Sequence, residues 1–289
     1  MLNKCFTSFM KGCGLLHPFF VSHNIRAVGR KLGRSPYFCT SMPKVFPLSE
    51  GVFTVGHDKN FVPFDLAADE LNSRPTGSLL VEVQPFLVVT SKDVIVLDTG
   101  LGFTNNDGVL QIHANLLDRG YTPGDVTKVL MSHLHKDHAG CMTCMDANGM
   151  VKTTFPNAKY HIYRPEADFA LQTGKPSYFP QDIEPVLSSG QVSWIDGEEG
   201  MIDDYIKFQH SGGHSPQHVV FLIDDEGQKI FYGGDEAPQL KQMKIKYVAK
   251  YDFDGKKAMA LREQYAAQGS REGWQFLFYH DVATPVASL

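Results

Sequence analysis

Within the six residues His133-Leu134-His135-Lys136-Asp137-His138 stand four side chains of metal-binding type, directly after the apolar run Val129-Leu130-Met131. A short apolar run bounded by polar residues reads as a buried strand, so the histidines sit where a strand gives way to a loop. In extended backbone, residues i and i+2 point to the same side, which lets His133 and His135 reach one ion together. If the chain then turns into a helix, Asp137 and His138 swing toward a second. Neutral imidazoles and carboxylates suit zinc and its first-row neighbours, and the absence of cysteine from the group argues against a purely structural thiolate site.

Other polar residues occupy equivalent punctuation. Gly212-Gly213-His214 follows the run Ile206 to His210, Gly233-Gly234-Asp235 follows Ile230 to Tyr232, His280 closes Trp274 to Tyr279, and Asp98 ends Val94 to Leu97. Ligands gather just past the C-terminal ends of strands in layered α/β proteins. A lone histidine is more often packed or solvated than a ligand, and His57, His113, His161 and His210 are read that way. His133, His135, Asp137, His138, His214, Asp235 and His280 instead supply two complete coordination spheres, for two divalent ions, Zn2+ by donor chemistry. A metal brings the pKa of bound water to near neutrality, so hydrolysis needs no Ser or Cys nucleophile. In this reading Asp137 also passes a proton to the leaving group, and Asp98 orients a ligand histidine and fixes its tautomer.

The rest of the chain alternates short β-type runs with occasional helical ones. Strands are expected around Val52 to Val55, Leu79 to Thr90, Val94 to Leu97, Val126 to Met131, Tyr160 to Tyr163, Val192 to Ile195, Ile206 to Gln209, Val219 to Ile223, Ile230 to Tyr232 and Trp274 to Tyr279. Helices are expected over Val109 to Arg119, Pro165 to Gln172 and Gly255 to Gln268, the last opened by Asp254 and stopped by Gly269. Such strand-rich α/β order points to two packed sheets with helices outside.

Charge divides the sequence. Seven cations, Lys4, Lys11, Arg26, Arg30, Lys31, Arg34 and Lys44, meet no acidic residue before Glu50, and against an overall −5 they leave the remainder near −12. An acidic body argues against a nucleic-acid partner, so the expected partner is a small-molecule substrate. Residues 1–42 are read as a separate basic extension, either a mitochondrial-type targeting segment or unstructured, ahead of one hydrolase domain over 43–289. No run is apolar enough to span a membrane. The five cysteines, three of them in the extension, make a poor disulfide framework and favour an intracellular setting, cytoplasm or mitochondrion. Cys141 and Cys144 are read as ordinary thiols rather than a redox pair. Oligomeric state stays open, a homodimer included.

The ordered set of motifs resembles the metallo-β-lactamase-fold hydrolases from about Val45 to His280. The resemblance implies an αββα sandwich of two mixed sheets flanked by helices. It places the first metal on His133, His135 and His214 and the second on Asp137, His138 and His280, with Asp235 bridging. A bridging aspartate argues against a β-lactamase. Gly233 to Arg262, with Pro238-Gln239 and Asp252-Phe253-Asp254, resembles the lactonase and methyl parathion hydrolase branch. Acyl-homoserine lactonases often carry a tyrosine where Pro238 stands; Tyr247 and Tyr251 are substitutes, though a place in the core is the simpler expectation for both. Another departure is Cys141, where the family commonly has glycine. The implied reaction is opening of a lactone or related ester. Phosphotriester hydrolysis in a pocket lined by Phe61, Phe64, Phe86 or Phe103 is the alternative, thioester hydrolysis comes next, and a metal-binding or redox module is the non-enzyme reading.

Overall fold

Alternation along the strands decides which layer each side chain joins, because successive residues of a strand face opposite sides of its sheet. In the computed structural model, which describes residues 42–146 and 148–289, Phe86, Val88, Ile95 and Leu97 belong to one apolar cluster. Their neighbours Leu87 and Val96 belong to another. The same split recurs later, where Val219, Phe221, Ile230 and Tyr232 join the first cluster while Val220 and Phe231 join a third. Two sheets buried on both faces, with helices outside, follow from that pattern.

One six-stranded sheet runs, across its width, Lys44–Pro47, Phe86–Val89, Val94–Leu97, Lys128–Leu130, Lys159–Tyr163, Val192–Ile195, with the last four strands parallel. The other runs Glu199–Ile202, Ile206–His210, Val219–Asp225, Gln228–Tyr232, Gln275–Leu277, Val286–Ser288, antiparallel except between the fourth and fifth. Helices Gln111–Asp118, Arg164–Thr173 and Pro180–Leu187 cover the first sheet through Ile112, Leu116, Ala167, Ala170, Ile183 and Val186. Leu240–Lys244 and Gly255–Glu272 cover the second through Met243 and Tyr265. This is the expected αββα sandwich. No described helix is long and apolar enough to cross a membrane.

The expected strand Leu79 to Thr90 is in fact two, Leu79–Val83 and Phe86–Val89. Pro85 cannot donate to a ladder, and the chain changes sheets there: the first piece pairs with Gly51–Val55 in a small three-stranded sheet, the second enters the large one. That small sheet overhangs the site described below. Residues 1–41 of the basic extension lie outside the described residues.

The long helix does not stop at Gly269 but runs to Glu272, with Gly273 as its left-handed cap. Gly269 is there for packing: a Cβ would run into the ring of Phe276 and come within 3.1 Å of Trp274 Cε3. Helix propensity favours Gly269→Ala by about 1 kcal/mol, whereas overpacking a filled core costs about 1–3 kcal/mol. Because the Phe276 ring is fully buried, the clash wins. Gly269→Ala should lower the thermal midpoint by roughly 2–6 °C; a rise on melting the purified variant would show that the ring yields freely.

Candidate metal centre

Strand direction brings the seven candidates together. Val94–Leu97 and Lys128–Leu130 run parallel, so Asp98 and His133 emerge at one edge of their sheet. In the second sheet Ile206–His210, Gln228–Tyr232 and Gln275–Leu277 run the same way, and their C-terminal ends deliver His214, Asp235 and His280. Val219 N donates to Ser132 O at 2.9 Å and stitches the two edges together. After His135 the chain turns into the short helix Lys136–Ala139, which buries Asp137 and His138 on the inner side.

Two groups of donor atoms result, His133, His135 and His214 in one, Asp137, His138 and His280 in the other. His135 Nδ1 lies 2.9 Å from His133 Nε2 and 3.2 Å from His214 Nε2. Asp235 stands between the groups: its Oδ2 is 3.2 Å from His214 Nε2, its Oδ1 3.0 Å from His280 Nε2 and 3.2 Å from His138 Nε2. Asp137 Oδ2 is 3.4 Å from His280 Nε2. A third grouping, Asp98 with His133 and His138, is already satisfied by hydrogen bonds. Asp98 Oδ2 accepts from His138 Nδ1 at 2.7 Å, Ser132 Oγ at 2.6 Å and Tyr232 Oη at 2.5 Å, while Oδ1 accepts from Ser132 N at 2.7 Å.

The donor set suits divalent cations on two counts. His138 Nε2 and Asp235 Oδ1 are buried without a directed hydrogen bond despite their proximity, so both aim at a shared space rather than at each other. Electrostatics agree. Burial opposes the charged imidazole of His280, yet Asp235 and Asp137 push its pKa up to about 10. Burial likewise opposes charge on His138 and His214, and Asp235 again leads the groups that raise them. In His135, where burial meets a neighbouring imidazole, the pKa falls to about 3. Two carboxylates out of water therefore draw positive charge into the space between them.

Several supporting residues escaped the sequence reading. His218 is fully buried, packs its ring 4.8 Å from that of His133, and accepts from Asp235 N at 3.2 Å. It precedes a strand rather than following one. In an antiparallel sheet the start of Val219–Asp225 lies at the same edge as the ends of its neighbours, which is the signal that could have found it. Gly234 at φ +49° fits here because a Cβ would come within 2.6 Å of Ser132 Oγ and 2.9 Å of His218 Nε2. Asp252 Oδ1 accepts from His214 Nδ1 at 3.0 Å, and Glu236 Oε2 accepts from Gly213 N and His214 N at 3.0 and 3.2 Å. Tyr279 stacks on His138 at 4.0 Å and donates to Asp137 O at 2.6 Å.

Asp98 is placed behind His138 with no exposed surface, at φ +53°. It can orient the imidazole and has no surface with which to touch a substrate, so its place is a positioning one rather than a catalytic one. Tyr247 and Tyr251 are not in the core either: both are 38% exposed and line a cleft. They lie in the irregular segment after Leu240–Lys244, where no strand pleat turns them inward. Of the four phenylalanines offered for a phosphotriester pocket, with core packing the simpler expectation for each, only Phe61 lines the cleft; Phe64 and Phe86 are buried, and Phe103 stacks on Phe53. Cys141 is buried and burial pushes its thiol well up, while half-buried Cys144 is also unpaired.

The cleft, about 920 Å³, has His135, Asp137, His214, Asp235 and His280 in its lining, with Phe61, Leu79 and Val81 from the small sheet and Ile245, Val248 and Tyr251 from the later segment.

The family model of the Metallo-beta-lactamase superfamily matches residues 81–267. An N-acyl homoserine lactonase of Bacillus thuringiensis is 27% identical over 226 residues, covering 71% of this chain and 84% of that protein. An atrochrysone carboxyl ACP thioesterase of Pseudocercospora fijiensis is 28% identical over 141 residues, 49% of this chain but only 33% of its own length. Among solved structures, a probable metal-dependent hydrolase from Staphylococcus aureus superposes with a TM-score of 0.69 at 24% identity, covering 85% of this chain and 92% of that one. A dizinc quorum-quenching lactonase does so with a TM-score of 0.65 at 20% identity, covering 86% and 91%. With its own two-sheet architecture and a family match over more than half its length, the chain belongs to the metallo-β-lactamase superfamily.

Proposed function

We propose that this protein is a dinuclear-metal hydrolase that opens a lactone or a related ester, holding two divalent ions, Zn2+ by donor chemistry. The observation that carries the reading is Asp235, whose two oxygens face the two donor groups from a single carboxylate. His133, His135 and His214 would hold one ion, Asp137, His138 and His280 the other, with Asp235 shared. Bound there, such ions polarise a carbonyl and bring water to an attacking form at neutral pH.

The chain's own residues do the rest. Asp98 and Asp252 hold the Nδ1 protons of His138 and His214, which fixes each tautomer and leaves Nε2 free to ligate. His280 is set the same way by donation to Glu82 O at 2.6 Å. Phe61, Leu79, Val81, Ile245 and Val248 offer an apolar bed for the acyl part and exclude water beside the reacting carbonyl. Asp137, 8% exposed and part of the cleft lining, would carry a proton to the departing oxygen.

Thioester hydrolysis is the second reading, favoured by the similarity to the fungal thioesterase. Metal-replete protein should be assayed on matched lactones, oxygen esters, thioesters and aryl phosphotriesters. Lactones or oxygen esters should give the highest kcat/KM. Preference for a thioester or phosphotriester would replace the substrate assignment, and no turnover of any class would sink the hydrolase mechanism proposed here.

A further inference from the structure

Four lysines line the cleft, Lys59, Lys136, Lys241 and Lys250, and its carboxylates, Asp137 and Asp235, are both in the candidate metal set. Lys59 and Lys136 come from one part of the rim: Lys59 Nζ donates to Ser177 Oγ at 2.5 Å, and Lys136 Nζ stands 5.4 Å from the Phe61 ring and 5.5 Å from the Phe179 ring. Lys241 lies on the helix Leu240–Lys244, and Lys250 on the irregular segment after it. Among the described residues none of the four forms an ion pair, although nine other pairs tie histidine, lysine or arginine to carboxylates outside the two donor groups. Nor can residues 1–41 neutralise them by a side-chain carboxylate, since that stretch contains no Asp or Glu.

A solvated lysine needs no partner, and single ones on a rim would mean nothing. Here the surroundings make the placement informative. The rest of the chain is strongly acidic, yet this cleft gathers four ammonium groups over an apolar bed and no acid beyond the metal set. Low-dielectric walls lined by one sign of charge concentrate an oppositely charged ligand. A neutral acyl lactone would leave that charge unused.

We infer that the cleft selects an amphiphilic substrate, an acyl ester or lactone that carries a carboxylate or phosphate away from the scissile bond. Its apolar part lies along Phe61, Leu79, Ile245 and Val248, and its anion is met by Lys241 and Lys250 with Lys59 and Lys136 nearby. The inference deepens the ester-hydrolase reading and rests on it for the chemistry. It is tested by binding, which does not require turnover.

Three non-scissile amides with one acyl chain serve as probes in calorimetric titration of the metal-replete protein: N-octanoylethanolamine, N-octanoyl-β-alanine and N-octanoyl-O-phosphoethanolamine. At least one anionic amide should bind about tenfold more tightly than the neutral one, equivalent to about 1.4 kcal/mol. The better of the two names the anion. The advantage should shrink as salt is raised and fall toward unity in Lys241→Ala/Lys250→Ala. That variant separates the lysines from direct attachment of the anion to a metal, which it would leave intact. Equal affinity for all three amides, absence of binding, or an anionic advantage untouched by the double variant would overturn the inference. A hydrolysis panel that fails while the binding ratio holds would instead remove the ester chemistry and keep the anionic ligand.

Discussion

Asp235→Asn should cost the protein about a hundredfold in affinity for divalent metal at each of two positions, with hydrolysis falling at least as far. Apparent free energies of structural zinc sites, about 10–16 kcal/mol spread over four ligands, amount to about 3 kcal/mol per ligand, or about two powers of ten. Asp235 faces both donor groups, so one substitution acts twice. Asparagine keeps the shape and removes the charge, and its amide nitrogen is a donor aimed at imidazoles or metal. Chelator competition with metal analysis reads the affinity, and a thermal melt of the metal-free protein checks that the fold is intact. A variant that keeps both metals and full turnover would refute the bridging role.

Arg262→Met should produce the largest loss of stability of any single change considered. Arg262 is 1% exposed; its Nη1 donates to Glu236 O at 3.2 Å, its Nη2 to Tyr247 O at 2.7 Å, and its guanidinium lies 3.6 Å from Asp252 Oδ2. Removing one member of a buried pair leaves an uncompensated charge, a loss of about 3–5 kcal/mol. For a domain of this size that is a fall of about 10 °C in thermal midpoint. Asp252 is also the acceptor for His214 Nδ1, and Asp254 N and Phe253 N donate to Gly213 O and His214 O. The same substitution therefore loosens the first donor group together with the cleft wall carrying Tyr247 and Tyr251. A midpoint within two or three degrees of wild type, compared at equal metal load, would mean that Asp252 is neutralised by other means.

Much of this was legible in the residues. Apolar alternation marked the central strands, and residues past their ends, from Asp98 to His280, converge because within each sheet the strands that carry them run the same way. Two kinds of feature were not legible. Breaks inside apolar runs depend on sheet membership: Leu79 to Thr90 reads as one strand until Pro85 sends its halves to different sheets. Proline conceals helices too, for Pro180–Leu187 begins at one proline and contains another, Pro185. The supporting groups His218, Glu236 and Asp252 were missed because their partners are tertiary. Asp252 lies 38 residues from His214, and nothing local to either predicts that they meet. Asp98 was found by its strand-end position, but only its three-way hydrogen bonding shows that it faces away from the cleft.

The most direct test of the central claim is anomalous diffraction at the zinc edge from crystals of the metal-replete protein. Two peaks per chain are predicted, one against His133, His135 and His214 and the other against Asp137, His138 and His280, with Asp235 reaching both. A single peak, or one lodged among Asp98, His133 and His138, would contradict the account.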